Sequence, residues 1–408
     1  MLLKSPQIIT MAGDVILNGA VRTEGDQIVE IGVGVKATKA DATIKLEDCI
    51  LLPGLVNTHS HLDLSCLAGK MAPPTSFADW VRQVIAARTE ATDMTVADGL
   101  REALQQCYRS GITCVGDHVG HLGILPFLLQ TPLKGRAFLE IVGPTEERGR
   151  AAIARATEAI RLYTPSAKRM RLSMTPHAAY SVHPIILREL LRKSSSDDIV
   201  SIHCAESAEE WECFSRAAGP LYDLATSRGL PNFKSMRSPT AYLAQHGSIP
   251  NAALLIHCNY VDNTDLAAIK AAGATIVHCP QSHRFFGAAP FPMDRFLETG
   301  IAMALGTDSL ASAASLNMLT EMQMVKEAHP ELSAQTILAM ATTNGAAALR
   351  MADRCGAIVP GLAADLIAAR IVDTALDPYE NVLRNTEVPF VVMGGRIVRN
   401  VLKGEHGI

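Results

Sequence analysis

Charge is scarce in this chain. Only 19% of its 408 residues are charged, the net charge is −4, and no run of five or more lysines or arginines occurs. That argues against nucleic acid or another polyanion as a partner. Long hydrophobic runs are missing too. Without a span of about 18 apolar residues, no transmembrane helix and no membrane partner are expected. Lys4 and Asp14 interrupt the first twenty residues, which lack the apolar core and cleavage site of a secretory leader. A cytoplasmic location is the expectation. The nine cysteines are odd in number and include no CxxC pair. Cys204, Cys258 and Cys279 each follow a histidine directly and read as small apolar fillers in a reducing compartment. Also absent are a Gly-x-Ser-x-Gly elbow, a GxxxxGK[ST] loop, a Rossmann glycine fingerprint and the HxE…PCxxC pattern of the small zinc deaminases. No internal repeat or low-complexity segment occurs.

What is present suffices for one large core plus a smaller module, since 48% of the residues are hydrophobic. Residues 1 to about 50 read as short β segments at Gln7–Met11, Asp14–Leu17, Ala20–Thr23, Gln27–Ile31 and Thr43–Leu46. Turns are expected at Asn18-Gly19 and Glu24-Gly25-Asp26. The middle of the chain alternates. Apolar runs of strand length occur at Ile50–Thr58, Ile112–Asp117, Arg136–Val142, Arg171–Thr175, Ile199–Ile202, Ala253–Ile256, Ala274–Val277 and Ile301–Gly306. Helix-patterned stretches lie between them, at Val96–Arg109, Gly149–Tyr163, Pro184–Arg192, Asp262–Ala272 and Met293–Thr299. Eight such units across roughly 260 residues predict a (β/α)8 TIM barrel, an α/β fold with the helices outside. After Thr342-Thr343-Asn344-Gly345-Ala346 a last helix is expected. Strands follow at Leu366–Ala369, Val388–Met393 and Arg396–Arg399, with a hairpin turn at Gly394-Gly395. The two chain ends are expected to pair into one small composite β-sandwich. The expected division is 1–50 and 351–408 for the sandwich and 51–350 for the barrel.

His59, Asp117, His177, His203, His257, His278 and Asp308 each stand at the C-terminal end of one of these runs. Only the third run lacks such a residue. In a barrel all those ends converge on one rim, where the fold places its chemistry. His59 and His61, at i and i+2, put two imidazoles on one face of an extended strand. They form half of a divalent metal site, with His203 and Asp308 as the third and fourth candidates. His257 and His278 remain as further ligands or, more often for such residues, as contacts to water or substrate. Alone, Glu206 reads as a solvated helix-start carboxylate beside Glu209, Glu210 and Glu212. Three residues after His203, it reads as the group that takes a proton from an activated water.

Together, Pro53-Gly54-Leu55-Val56-Asn57-Thr58-His59-Ser60-His61, His203-Cys204-Ala205-Glu206, His278-Cys279-Pro280-Gln281-Ser282 and Leu305-Gly306-Thr307-Asp308-Ser309 resemble the amidohydrolase superfamily. The resemblance is to its deaminase and chlorohydrolase branch, related to cytosine and S-adenosylhomocysteine deaminases. It spans residues 1 to about 400, including Gly361-Leu362-Ala363-Ala364-Asp365-Leu366. It implies a single divalent ion, zinc or iron, on His59, His61, His203 and Asp308. Glu206 would be the proton shuttle, His257 would hold the nucleophile or the developing charge, and Asp308 would help pass a second proton to the leaving ammonia. Pro176-His177-Ala178-Ala179-Tyr180 resembles a family loop that touches substrate. Binuclear relatives carry a carboxylated lysine on the fourth strand, and Arg171–His177 contains none. The chain departs from the family pattern at His283, where asparagine is usual.

The resemblance thus implies hydrolysis of an exocyclic amine on a small aromatic N-heterocycle. Leu62-Asp63-Leu64-Ser65 and Phe77-Ala78-Asp79-Trp80-Val81 resemble a branch that includes aminodeoxyfutalosine deaminases, which makes a 6-aminopurine nucleoside the expected substrate. Trp80 and Phe77 either stack on a purine, wall off the pocket or pack in the core. Arg148 either meets a substrate carboxylate or is solvated among Glu146, Glu147 and Arg150. Chloride or amide hydrolysis on the same metal, and a non-catalytic scaffold on the same fold, are the rival readings. The barrel's outer helices could also pair into a homo-oligomer.

Overall fold

A computed structural model of the chain describes residues 1–72, 74–192 and 198–402. Among the described residues, β1 (Leu2–Ile8), β2 (Ile16–Glu24), β3 (Gln27–Gly32), β4 (Thr43–Lys45) and β5 (Cys49–Pro53) come first. Eight strands follow: β6 (Leu55–Ser60), β7 (Ile112–Val119), β8 (Lys134–Ile141), β9 (Met170–Pro176), β10 (Ser201–Cys204), β11 (Leu254–His257), β12 (Thr275–His278) and β13 (Ala302–Leu305). The chain ends with β14 (Leu366–Arg370), β15 (Phe390–Met393) and β16 (Arg396–Asn400).

β6 to β13 form two four-stranded arcs, β6-β7-β8-β9 and β10-β11-β12-β13, with parallel pairing throughout. Parallel bridges Ala178↔His203 and Ser60↔Asp308 join the arcs at both seams. The result is the expected (β/α)8 barrel. Alternation along β8 shows how it is filled. Ala137, Leu139 and Ile141 face outward into the large core shared with the helices. Phe138 faces inward, into a core with Val56, Cys114, Ile256, Val277 and Leu349. The helices Pro184–Arg192 and Met293–Thr299 span the residues read from the sequence. The helix Phe77–Glu90 follows the first barrel strand, and Ala208–Arg216 carries the glutamates read as a helix start, while Pro220–Ser227 and Pro239–Gly247 are additional to the stretches read from the sequence. The last barrel helix, Thr343–Ala348, starts earlier than expected.

The other strands make one mixed sheet in the order β16-β15-β14-β5-β1-β2-β3, with β4 on β1. Ile28 of β3 and Phe390 of β15 lie far apart in that order yet share one core. The sheet therefore folds over itself, giving the small sandwich built from both chain ends. Two local readings are corrected. Ile50–Thr58 is not one strand. It breaks at Pro53-Gly54, so that β5 joins the end sheet, past residue 50, and β6 joins the barrel. Gly54 is required at this crossing because a Cβ there would lie 2.1 Å from the Thr113 hydroxyl. Asn18-Gly19 is not a turn. Asn18 takes a left-handed φ of 51° inside a continuous β2, and the chain reverses before Ile16.

Barrel and end sheet are tied by ions. Buried Asp365, just before β14, pairs with Lys134 of β8 at 2.7 Å and with Arg169 at 3.2 Å, and accepts from the Gly394 amide at 2.6 Å. Among the described residues no helix is long and apolar enough to cross a membrane. Asp365→Ala leaves the Lys134 ammonium buried and unpaired. It is expected to lower stability by about 3–5 kcal/mol, read by chemical denaturation.

Candidate metal centre

The two seams of the barrel are also where the site forms. Thr307 and Asp308 amides both donate to the His59 carbonyl, at 3.0 and 3.1 Å, so the end of β13 is fastened to the end of β6. Gly306 permits this approach, since a Cβ there would stand 2.8 Å from the Cβ of His59. At the other seam the His203 amide donates to the His177 carbonyl at 2.9 Å. Four non-glycine residues at these strand ends hold left-handed backbone: Ala205, His257, Cys258 and Asp308, with φ of 53°, 74°, 53° and 58°. Such strain persists only where the surroundings fix it, and it gathers at functional sites.

The side chains converge. His61 Nε2 lies 3.2 Å from His203 Nε2, and Asp308 Oδ1 lies 3.8 Å from both His59 Nε2 and His61 Nε2. The His203 Nδ1–H donates to the His177 carbonyl at 2.8 Å, which leaves Nε2 as a lone pair aimed inward. Asp308 Oδ2 accepts from Ser282 and Ser312 hydroxyls at 2.7 and 3.0 Å, which leaves Oδ1 to face the histidines. Neither nitrogen of fully buried His59 has a hydrogen-bond partner among the described residues. An orphaned imidazole of this kind is costly unless something else occupies its lone pair. Three inward nitrogens and one carboxylate oxygen are a donor set that fits a divalent cation. Burial holds His59 and His203 well below the usual histidine range, and neighbouring imidazoles add to it. Their neutral form is the one that ligates.

His257 completes a second grouping with His59 and Asp308, whose ligand atoms lie within 4.8 Å of one another. Its Nε2 stands 3.5 Å from Glu206 Oε1. Burial pushes Glu206 well above the usual carboxylate range, and the charges of Asp308 and Glu210 push it further. Glu206 is held through its backbone, its amide donating to Glu210 and its carbonyl accepting from Asn259. A cavity opens at this rim, lined by His61, His203, Glu206 and Asp308. His177 and Trp80 line it as well. His177 is braced by Ser181 at 2.9 Å, and the Trp80 indole donates to the Ala311 carbonyl at 3.2 Å. Two expected substrate contacts are not brought there. His278 is buried against Phe291, with ring centroids 3.7 Å apart, beside His283. Arg148 is exposed in the first turn of helix Glu146–Tyr163, outside the cavity lining. Arg88 and Arg228 line the cavity instead.

Residues 50–398 match the amidohydrolase family. The chain belongs to that family. It is a hydrolase of the kind that acts on C–N bonds other than peptide bonds. It is 27% identical to the 5-methylthioadenosine/S-adenosylhomocysteine deaminase of Pyrococcus abyssi over 93% of this chain and 88% of the relative. It is 26% identical to the aminodeoxyfutalosine deaminase of Deinococcus radiodurans over 72% of each. In fold it is similar to a zinc-bound adenosine deaminase from Xanthomonas campestris, at TM-score 0.83 and 23% identity, over 98% of this chain and 92% of the other. It also resembles the Arthrobacter aurescens atrazine chlorohydrolase in complex with zinc, at TM-score 0.84 and 19% identity, over 99% and 97%.

Two residues of this amidohydrolase site went unseen in the sequence. The third strand does supply the rim, through Glu140. Its place at i+2 and i+4 from inward-facing Phe138 and Arg136 was the available signal. On the second strand Asp117 spends one oxygen on the Ser60 hydroxyl and the Leu62 amide, and it is the next residue, His118, that reaches the cluster.

Glu321 sits beneath the site and accepts from the backbone and side chain of Gln281 at 3.0 and 2.7 Å, next to Ser282. Burial pushes its carboxyl from 4.5 up to about 8. Between those values the folded chain keeps a proton that the unfolded chain releases. This contribution to stability is full below pH 4.5 and is lost as pH rises through 8. Denaturation at pH 5 and pH 8.5 is therefore expected to show a loss smaller in Glu321→Gln than in wild type, by about 2–5 kcal/mol.

Proposed function

We propose that this amidohydrolase removes an exocyclic amine from an aromatic N-heterocycle by hydrolysis. The observation that carries the reading is the convergence of His59, His61, His203 and Asp308 on one point, with Glu206 and His257 beside it. Those four residues would hold one divalent cation, zinc by preference and iron as the other choice for such a set. When bound, the cation supplies a Lewis acid that makes water a nucleophile near neutral pH. Glu206 takes a proton from the attacking water and delivers it to the ring nitrogen beside the amine-bearing carbon. Its position against His257 supports this, because the imidazole can steady the same oxygen. Asp308 helps pass the second proton to the departing nitrogen. A C–O bond forms, the C–N bond breaks, and ammonia leaves with no oxidant or reductant involved.

For the substrate, the best reading is a 6-aminopurine nucleoside such as aminodeoxyfutalosine. The names of the relatives favour an adenine-type base. The cavity lining favours a long apolar arm ending in an anion, since it combines Leu221, Leu224, Val84 and Trp80 with the cations Arg88 and Arg228. Arg88 and Arg228 take the place expected for Arg148. Chloride displacement is the second reading, favoured by the likeness to the atrazine chlorohydrolase, and the product distinguishes it. A scaffold without chemistry has no use for unpartnered nitrogens on a buried histidine.

Glu206→Gln is expected to keep its metal yet lose about 10²–10⁴-fold in kcat. Ammonia release from a panel of 6-aminopurine nucleosides, guanine, cytosine and chloro-triazines measures it. Near-normal turnover contradicts the assignment, and chloride release without ammonia selects the second reading.

A further inference from the structure

Glu140 is the one carboxylate on the cavity wall that the proposed chemistry leaves unused. It is buried, with a side chain 1% exposed, and stands on β8 between two histidines of the cluster. Its Oε1 lies 3.1 Å from His118 Nδ1. His118 Nε2 lies 2.7 Å from the Ser201 hydroxyl. Ser201 Oγ–H can donate to Nε2, which leaves the proton on Nδ1 to be donated to Glu140. Both nitrogens of His118 are thus occupied, and this histidine is no ligand despite its place in the cluster. Glu140 Oε2 has no hydrogen-bond partner and faces His61 Nδ1 at 3.8 Å.

The two nitrogens of His61 have different neighbours. Nε2 points at His203 Nε2 and Asp308 Oδ1, so it must present a lone pair for a cation to sit there. A neutral ring then carries its proton on Nδ1, the atom aimed at Glu140. Ligating histidines regularly donate that second proton to a carboxylate, which fixes the tautomer and raises the basicity of the ligand. We infer that Glu140, anchored by His118 and Ser201, is the acceptor that orients His61 for the cation. It is a positioning residue. A second cation on Glu140, His177 and His203, which also lie within 4.8 Å of one another, fits less well. The free oxygen faces a nitrogen that bears a proton, and His203 Nε2 already serves the first site. The inference rests on the four-ligand reading above.

The test uses the full-length protein, stripped with a chelator and titrated with Zn²⁺ against a chromophoric competitor. Glutamine offers one acceptor oxygen where glutamate offers two, so Glu140→Gln cannot serve both His118 and His61. It is expected to bind Zn²⁺ about 10–100-fold more weakly, with the melting temperature of the stripped protein unchanged. His118→Phe removes the anchor on Oε1 and is expected to weaken Zn²⁺ binding in the same direction by less. If Glu140→Gln does not fold, His118→Phe decides alone. Wild-type affinity in the variants overturns the inference, even if KM for the nucleoside rises. Failure of the wild-type protein to bind Zn²⁺ overturns the four-ligand reading itself.

Discussion

Everything at this site follows from one constraint: several polar side-chain atoms are buried together with no hydrogen-bond partner among the described residues. A polar atom without a partner in a dry interior costs about 1–3 kcal/mol, and an unpaired charge costs more. His59 leaves two such atoms and His257 one, with Asp308 Oδ1 beside them. A sequence selected for stability alone would not keep this group. The outer polar atoms, by contrast, are well supplied. Two serines hold the far oxygen of Asp308, the His177 carbonyl holds the far nitrogen of His203, and Ser181 braces His177. On His203 and Asp308 the anchored atom lies away from the cluster and the other atom faces it. That polarity is what a cation at the centre would require.

The barrel makes such a cluster possible at tolerable cost. Side chains 249 positions apart, from His59 to Asp308, meet because the first and last strands are fastened at that level by two amides on one carbonyl. The left-handed residues at the strand ends turn the chain sharply enough to aim side chains at the axis. Strain there is balanced by ordinary packing elsewhere: the filled barrel interior, the helix layer, and the end sheet clamped through Asp365.

Much of this was legible in the sequence because barrel strands are short, apolar and separated by helical stretches. Seven of the eight runs fall on one strand each and the first on two, and the pattern of His and Asp at their ends marked the rim. What failed did so for physical reasons. Pro53-Gly54 interrupts an apolar run without making it look less like a strand, so the switch between sheets was hidden. Asn18-Gly19 has turn chemistry, yet β1 pairs on both sides of it and keeps it within one strand. Glu140 was passed over because the third run ends in Ile141 and Val142, and only inward alternation from Arg136 reveals it. His118 was masked by Asp117, the neighbour with the more familiar position. His278 and Arg148 show the converse limit. Being near a strand end or a helix start does not say which way a side chain turns, and theirs turn into packing and into solvent.

The central claim is that four side chains share one cation. Anomalous diffraction from crystals of the purified protein, collected across the zinc and iron absorption edges, tests it most directly. The account predicts a single metal peak about 2.0–2.2 Å from a nitrogen of His59, His61 and His203 and from an oxygen of Asp308. A metal seated on other residues, or no metal in protein supplied with zinc and iron, would contradict it.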